Sequence, residues 1–167
     1  MTRRYTTPGT SYKYLGGLAL LIAYGSLYPF DFAAAPDGAF SILFSQATLF
    51  SSIGDALGNI GLFIPWGLLG VLTIAQRRGM ASAIVQTLLI GFLVAFALQI
   101  AQIWVPTRTP ALSDVFWNMV GCIAGVLLSY QLNTRRQNLS GIFGIQQIIG
   151  GLLVAWIVWE WLPLIPS

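Results

Sequence analysis

The chain lacks histidine altogether and has one cysteine, Cys122, among 167 residues. Without imidazole, zinc sites of the usual ligands and Ser-His or Cys-His nucleophilic machinery are excluded. A lone cysteine excludes an internal disulfide. Charge is almost as scarce, at 8% of residues against 56% hydrophobic. A soluble domain of this length could not be covered with so few charges. Any chemistry must use carboxylate, amide, hydroxyl or guanidinium groups, and neither a cofactor nor a metal is expected.

What the chain has instead is long apolar runs. Crossing about 30 Å of hydrocarbon at about 1.5 Å per residue takes roughly 20 residues. Five stretches suffice: 14–30, 55–75, 81–104, 114–132 and 142–162. Helices satisfy their backbone in lipid and isolated strands do not, so the expected fold is all-α, a polytopic bundle of about five spans forming one domain over 1–167. The first stretch imitates a secretory signal, with a basic start and Ala33-Ala34-Ala35. Pro29, Asp31 and Pro36 interrupt that pattern, so a retained anchor is expected.

The charges sort by side. Arg3, Arg4, Lys13, Arg77, Arg78, Arg135 and Arg136 fall in segments that share one side if there are five spans; Asp31, Asp37, Asp55, Asp114 and Glu160 fall on the other. Cytoplasmic loops carry the excess of Lys and Arg, so the N-terminus is expected in the cytoplasm, with Trp104, Trp156, Trp159 and Trp161 as an outer belt. The exception is Arg108, which sits with the acids. The net charge of +3 does not indicate nucleic acid, because the basic residues occur as scattered pairs at helix ends rather than on one face. Between the first two spans, residues 40–50 form an apolar stretch too short to cross, expected to be interfacial or re-entrant on the outer side.

A faint internal repeat supplies the candidate site. Asp55 and Asn59 in the second span match Asp114 and Asn118 in the fourth, in the same direction along the chain. An Asp and an Asn four apart share a helix face. The Asp residues, with Ser52 and Ser113, also suit helix-start capping; the Asn residues lie a turn deeper, where an amide needs a partner. Gln99 and Gln102 share a face near the outer end of the third span, and Pro106 and Pro110 stiffen the loop that carries Arg108. Asp55, Asn59, Gln99, Gln102, Arg108, Asp114 and Asn118 are therefore candidate ligand-binding residues, with Asp55 and Asp114 as catalytic candidates. Two uses are open. The cluster could hold a polar or anionic headgroup, with Arg108 making two parallel hydrogen bonds to it, or Arg108 could be the internal counter-ion of the two aspartates. Gly121-x3-Gly125 permits close helix packing, Pro65 is expected to kink the second span, and Cys122 is expected to be a packed small residue.

Asp55-x3-Asn59 with Pro65-x-Gly67, Gln102-x3-Pro106-x-Arg108, and Ser113-Asp114-x3-Asn118-x2-Gly121-x3-Gly125 together resemble the signature of the VanZ-like family of small bacterial membrane proteins; Tyr28-Pro29-Phe30 resembles its Pro-Phe element. The resemblance covers about 24–130, with the fifth helix appended. One position departs: Gln99 stands where the family usually has a glutamate. The resemblance implies a multi-pass protein of the bacterial cytoplasmic membrane associated with glycopeptide resistance, teicoplanin in particular. The expected partner is a membrane lipid or lipid-linked envelope precursor, with other membrane proteins as further partners. Three activities are compatible: a non-enzymatic accessory factor acting on such a component, an intramembrane enzyme with Asp55 and Asp114 as acid and base, and a lipid translocase.

Overall fold

In the computed structural model, residues 8–45 and 53–136 are described. They form five helices: α1 (Pro8–Leu27), α2 (Ala39–Ser45), α3 (Ile53–Arg78), α4 (Met80–Gln102) and α5 (Leu112–Arg136). No strand occurs among the described residues. Three helices, α3, α4 and α5 (through Leu132), are long and apolar enough to cross a membrane. The all-helical bundle expected from the apolar runs is therefore present. Lining its outside are exposed Leu20, Val85, Leu89, Leu93, Ile123 and Leu127, an apolar surface of the kind that suits lipid and not water.

The boundaries differ from the apolar runs in ways the local chemistry explains. α1 ends at Leu27, short of Phe30, because the residue before a proline is disfavoured in the helical region and Tyr28 precedes Pro29. Tyr12, Lys13, Tyr14 and three glycines dilute its first half, and α1 is not among the three spans. α3 runs past its expected end to Arg78, since long basic side chains can reach out of an apolar layer. The expected fifth span, 142–162, lies outside the described residues, as does Glu160. Of the apolar stretch 40–50, the described part is α2, seven residues and about 10 Å long. Ala39 and Leu43 are buried while Phe40 and Phe44 are exposed, so this helix buries one face, and the Phe40 ring lies edge-on to Trp104 at 6.4 Å.

Gly79, at a φ of 76°, makes the tight turn that folds α4 back along α3. α5 then runs parallel to α3. The contact between them has no room for side chains: a Cβ on Gly121 would overlap the Ile60 carbonyl, one on Gly125 the Ile64 carbonyl, and one on Gly67 the Cys122 carbonyl. This is the close packing the Gly-x3-Gly spacing called for. α4 closes the third side. The Trp66 indole N–H donates to the Thr87 carbonyl (3.3 Å), and Gly91 leaves space for both the Trp66 ring and the Cys122 sulfur. Cys122 is fully buried and unbonded, as a packed small residue. α3 continues through Pro65 as one helix; the proline lacks the N–H that would bond the Gly61 carbonyl.

These directions give the bundle two unlike ends. The Arg77 guanidinium lies 5.1 Å from the Tyr12 ring centroid, so the start of α1 and the end of α3 meet at a basic end. Asp31, Asp37, Asp55, Asp114 and Arg108 occur at the opposite end, with the starts of α3 and α5.

Candidate functional site

The parallel α3–α5 pair is what assembles the site. Ile60 lies against Gly121 and Ile64 against Gly125, which aligns the Asp55–Asn59 half of the repeat with the Asp114–Asn118 half. Asp55 and Asp114 are close enough for their charges to interact, and the Asn59 side chain is a hydrogen-bonding neighbour of the Asp114 carboxyl. α4 adds Gln99, whose Nε2 donates to Asp114 Oδ2 at 3.4 Å. Asn118 is 3% exposed and lies one turn below. Five of the seven candidates thus belong to one apex formed by α3, α4 and α5.

Gln99 does more than touch Asp114. Its Oε1 accepts the Ala111 N–H at 2.9 Å, one of the donors that the start of α5 would otherwise leave unsatisfied. With both ends of its amide engaged, Gln99 fixes the entry to α5 and orients the carboxylate. The helix-start role expected of Ser113 is not what the structure gives: its hydroxyl is buried without a hydrogen-bond partner. Ser52 lies outside the described residues. Among the described residues, two more buried side-chain atoms lack partners, Thr87 Oγ1 and Asn118 Oδ1.

The other two candidates, Gln102 and Arg108, reach across to α1. Gln102 Nε2 donates to the Ser26 carbonyl (2.9 Å), Arg108 Nε to the Tyr28 carbonyl (3.0 Å) and Arg108 Nη2 to the Gly25 carbonyl (3.2 Å). Carbonyls at a helix C-terminus are unsatisfied and carry its negative partial charge, so a guanidinium and an amide suit them. The same loop is sewn to the α1–α2 connection twice more, by Thr107 Oγ1 to Asp31 Oδ1 (3.1 Å) and by the Ala33 N–H to the Trp104 carbonyl (2.9 Å). Arg108 therefore joins α1 to the α4–α5 loop beside the apex. Removing the guanidinium by Arg108→Ala is expected to lower stability by about 1–3 kcal/mol, the worth of hydrogen bonds from a charged donor. Thermal unfolding of the purified protein checks this, with Arg108→Lys recovering only part because it lacks the planar fork.

Sequence reasoning named these residues but missed how they divide. Nothing in the spacing of Gln102 and Arg108 points to the end of α1, more than 70 positions upstream. It also passed over Thr87, whose burial at 1% exposure comes from its seat against Gly70.

Chemically the apex offers two interacting carboxylates, amides that orient one of them, and a buried amide oxygen seeking a donor. No cluster of three or more His, Cys, Asp or Glu able to hold a metal occurs among the described residues. A family model described as VanZ/LLP1 matches residues 8–133, taking in α1 as well as the motif-bearing helices. No curated protein and no solved structure matches the chain.

Proposed function

The chain belongs to the VanZ-like family, and on that footing we propose that it is a non-enzymatic accessory protein of the bacterial cytoplasmic membrane, which binds or shields a lipid-linked envelope component at the outer face. The observation that carries this reading is the gathering of both Asp–Asn pairs and Gln99 at one end of an apolar bundle. Polar and ionisable groups among membrane helices are costly and mark functional sites. Among the described residues, Lys13, Arg77 and Arg78 belong to the other end, which by the positive-inside tendency favours an outward-facing apex. From there it meets the headgroups of the outer leaflet. Covering such a component changes how a glycopeptide such as teicoplanin encounters the cell surface.

The test is teicoplanin and vancomycin susceptibility of a sensitive Gram-positive host expressing the chain or its Asp55→Asn/Asp114→Asn variant, with membrane levels compared by blot. Asparagine keeps the shape of aspartate and an acceptor for Gln99, so equal abundance is expected. Selective teicoplanin protection by the native chain, absent in the variant, is the expected result. Protection that persists in the variant would remove the apex from the role, and no protection by abundant native chain would remove the link to resistance.

A second reading has its own support in the nearness of Asp55 to Asp114: an intramembrane enzyme in which one carboxyl acts as acid and the other as base on a lipid-linked phosphate or acyl group. Turnover of such a lipid by reconstituted protein, lost in either single Asp→Asn variant while the lipid is still retained, would decide for it. A translocase is the weakest reading, because the deep polar residues described, Thr73, Thr87 and Ser129, are isolated hydroxyls and Ser129 is tied to the Val126 carbonyl.

A further inference from the structure

Asn118 points to the kind of group the apex receives. Its Oδ1 is buried and has no donor, and only 3% of the residue is exposed. Helical spacing places it between the stripe of Gly121 and Gly125, which faces α3, and Cys122, which faces Gly91 of α4. The side chain is therefore directed into the three-helix wedge, below Asp114 and on the side where Asn59 and Gln99 converge. An amide oxygen left bare in such a place needs an N–H or O–H donor.

Charge narrows the choice. Among the described residues the acidic end carries Asp31, Asp37, Asp55 and Asp114 against the single guanidinium of Arg108, whose Nε and Nη2 are bonded to α1 carbonyls. Carboxylates beside hydrocarbon favour a positive partner. A neutral hydroxyl would satisfy Asn118 but not the charge. A bare metal ion would want oxygens turned towards it, whereas the Gln99 amide presents nitrogen to the Asp114 carboxylate. A primary ammonium meets both demands, having three N–H donors and a compact positive charge.

We infer that the apex takes the primary ammonium of a membrane-lipid headgroup, shared between Asn118 Oδ1 and the carboxylates of Asp114 and Asp55. This deepens, and rests on, the proposed role of the apex as a headgroup site. The ammonium can come from an ethanolamine phospholipid or from an amino acid carried on a lipid; the chemistry at Asn118 is the same.

The test uses the full chain in three vesicle compositions: phosphatidylcholine alone, phosphatidylcholine with phosphatidylethanolamine, and phosphatidylcholine with lysyl-phosphatidylglycerol. Choline carries the same positive charge with no N–H, so it is the donor-free reference. A lipid present well above its Kd is expected to raise Tm by about 5 °C, the shift that mass-action stabilisation gives a chain of this size. The rise is expected with one or both amine lipids and to vanish in Asn118→Leu and, separately, in Asp114→Asn. Asn118→Leu is also expected to be at least as stable as the native chain in phosphatidylcholine, because it removes a buried unsatisfied atom; a merely structural asparagine would not give that pairing of results. A rise with phosphatidylethanolamine alone assigns the ethanolamine source, and with the lysyl lipid alone the amino-acid source. Equal Tm in all three compositions, or a rise that persists in both variants, overturns the inference. If that happens while the Asp55→Asn/Asp114→Asn variant still loses teicoplanin protection, the ammonium fails and the headgroup site stands.

Discussion

Replacing Gly121 with leucine is expected to leave little folded protein in the membrane. A Cβ at this position already overlaps the Ile60 carbonyl oxygen, carbon and Cα, and these are backbone atoms of a neighbouring helix that no rotamer change can move aside. Overpacking a well-filled core costs about 1–3 kcal/mol where side chains can give way; here α3 and α5 would have to separate along the contact that also buries Gly67 and Gly125. The cost exceeds that range and is comparable with the whole stability of a small domain, about 5–15 kcal/mol. Blot levels and thermal unfolding of Gly121→Leu, beside Gly16→Leu as a control, measure it. No atom lies within 4 Å of a Cβ at Gly16, so that control is expected to accumulate normally. Normal accumulation of Gly121→Leu would mean that the two helices are not in backbone contact.

The second large effect is expected at Gln99. Its amide accepts from the Ala111 N–H and donates to Asp114, and it is 3% exposed. Gln99→Leu leaves a buried N–H without an acceptor and takes from the Asp114 carboxylate one of its two amide neighbours, Asn59 being the other, a loss of about 2–4 kcal/mol. Gln99→Glu restores the acceptor but sets a second carboxylate against Asp114, so it too is expected to be strongly destabilised. Adding Asp114→Asn reverses the polarity of the bond: the carboxylate introduced on α4 would accept from both the Ala111 N–H and the new amide on α5. The double variant Gln99→Glu/Asp114→Asn is therefore expected to regain most of the stability lost in Gln99→Glu, and a double-mutant cycle on thermal unfolding reads the coupling. Additive losses would show that Gln99 and Asp114 do not bond. Glutamine thus holds the contact to Asp114 without needing the proton that a glutamate in its place would require.

The parts of this protein that were legible in its sequence depend on neighbours along a helix. Apolar run length marked α3, α4 and α5, and Gly121-x3-Gly125 marked a seam where backbones touch. The repeat of Asp55–Asn59 in Asp114–Asn118 anticipated their convergence because two helices running the same way in close contact bring equivalent positions level. What stayed hidden depends on partners that carry no sequence signature. Arg108 read either as the holder of an anionic headgroup or as a counter-ion for aspartate, because anions are the partners that a lone guanidinium calls to mind and carboxylates are the visible ones of the chain. The carbonyls of Gly25 and Tyr28 are acceptors of any sequence whatever, exposed only because α1 stops before Pro29. Gln99 likewise caps α5 through the backbone of Ala111, leaving Ser113, the residue whose type suggests a cap, without a bond.

The most direct measurement is a cross-link between positions 55 and 114 in intact cells. Cys122, the single native thiol and fully buried, is replaced by alanine, and Asp55→Cys and Asp114→Cys are introduced together. A short, membrane-impermeant bifunctional thiol reagent is applied to cells, and the link is read as an intramolecular bridge between the fragments left by cleavage in the α3–α4 turn. Bridging in unbroken cells is the result that the proposed outward-facing apex predicts, because the two carboxyls lie close enough for their charges to interact. Bridging only after the membrane is opened would put the apex on the cytoplasmic side, and no bridging under either condition would contradict the convergence of the two aspartates.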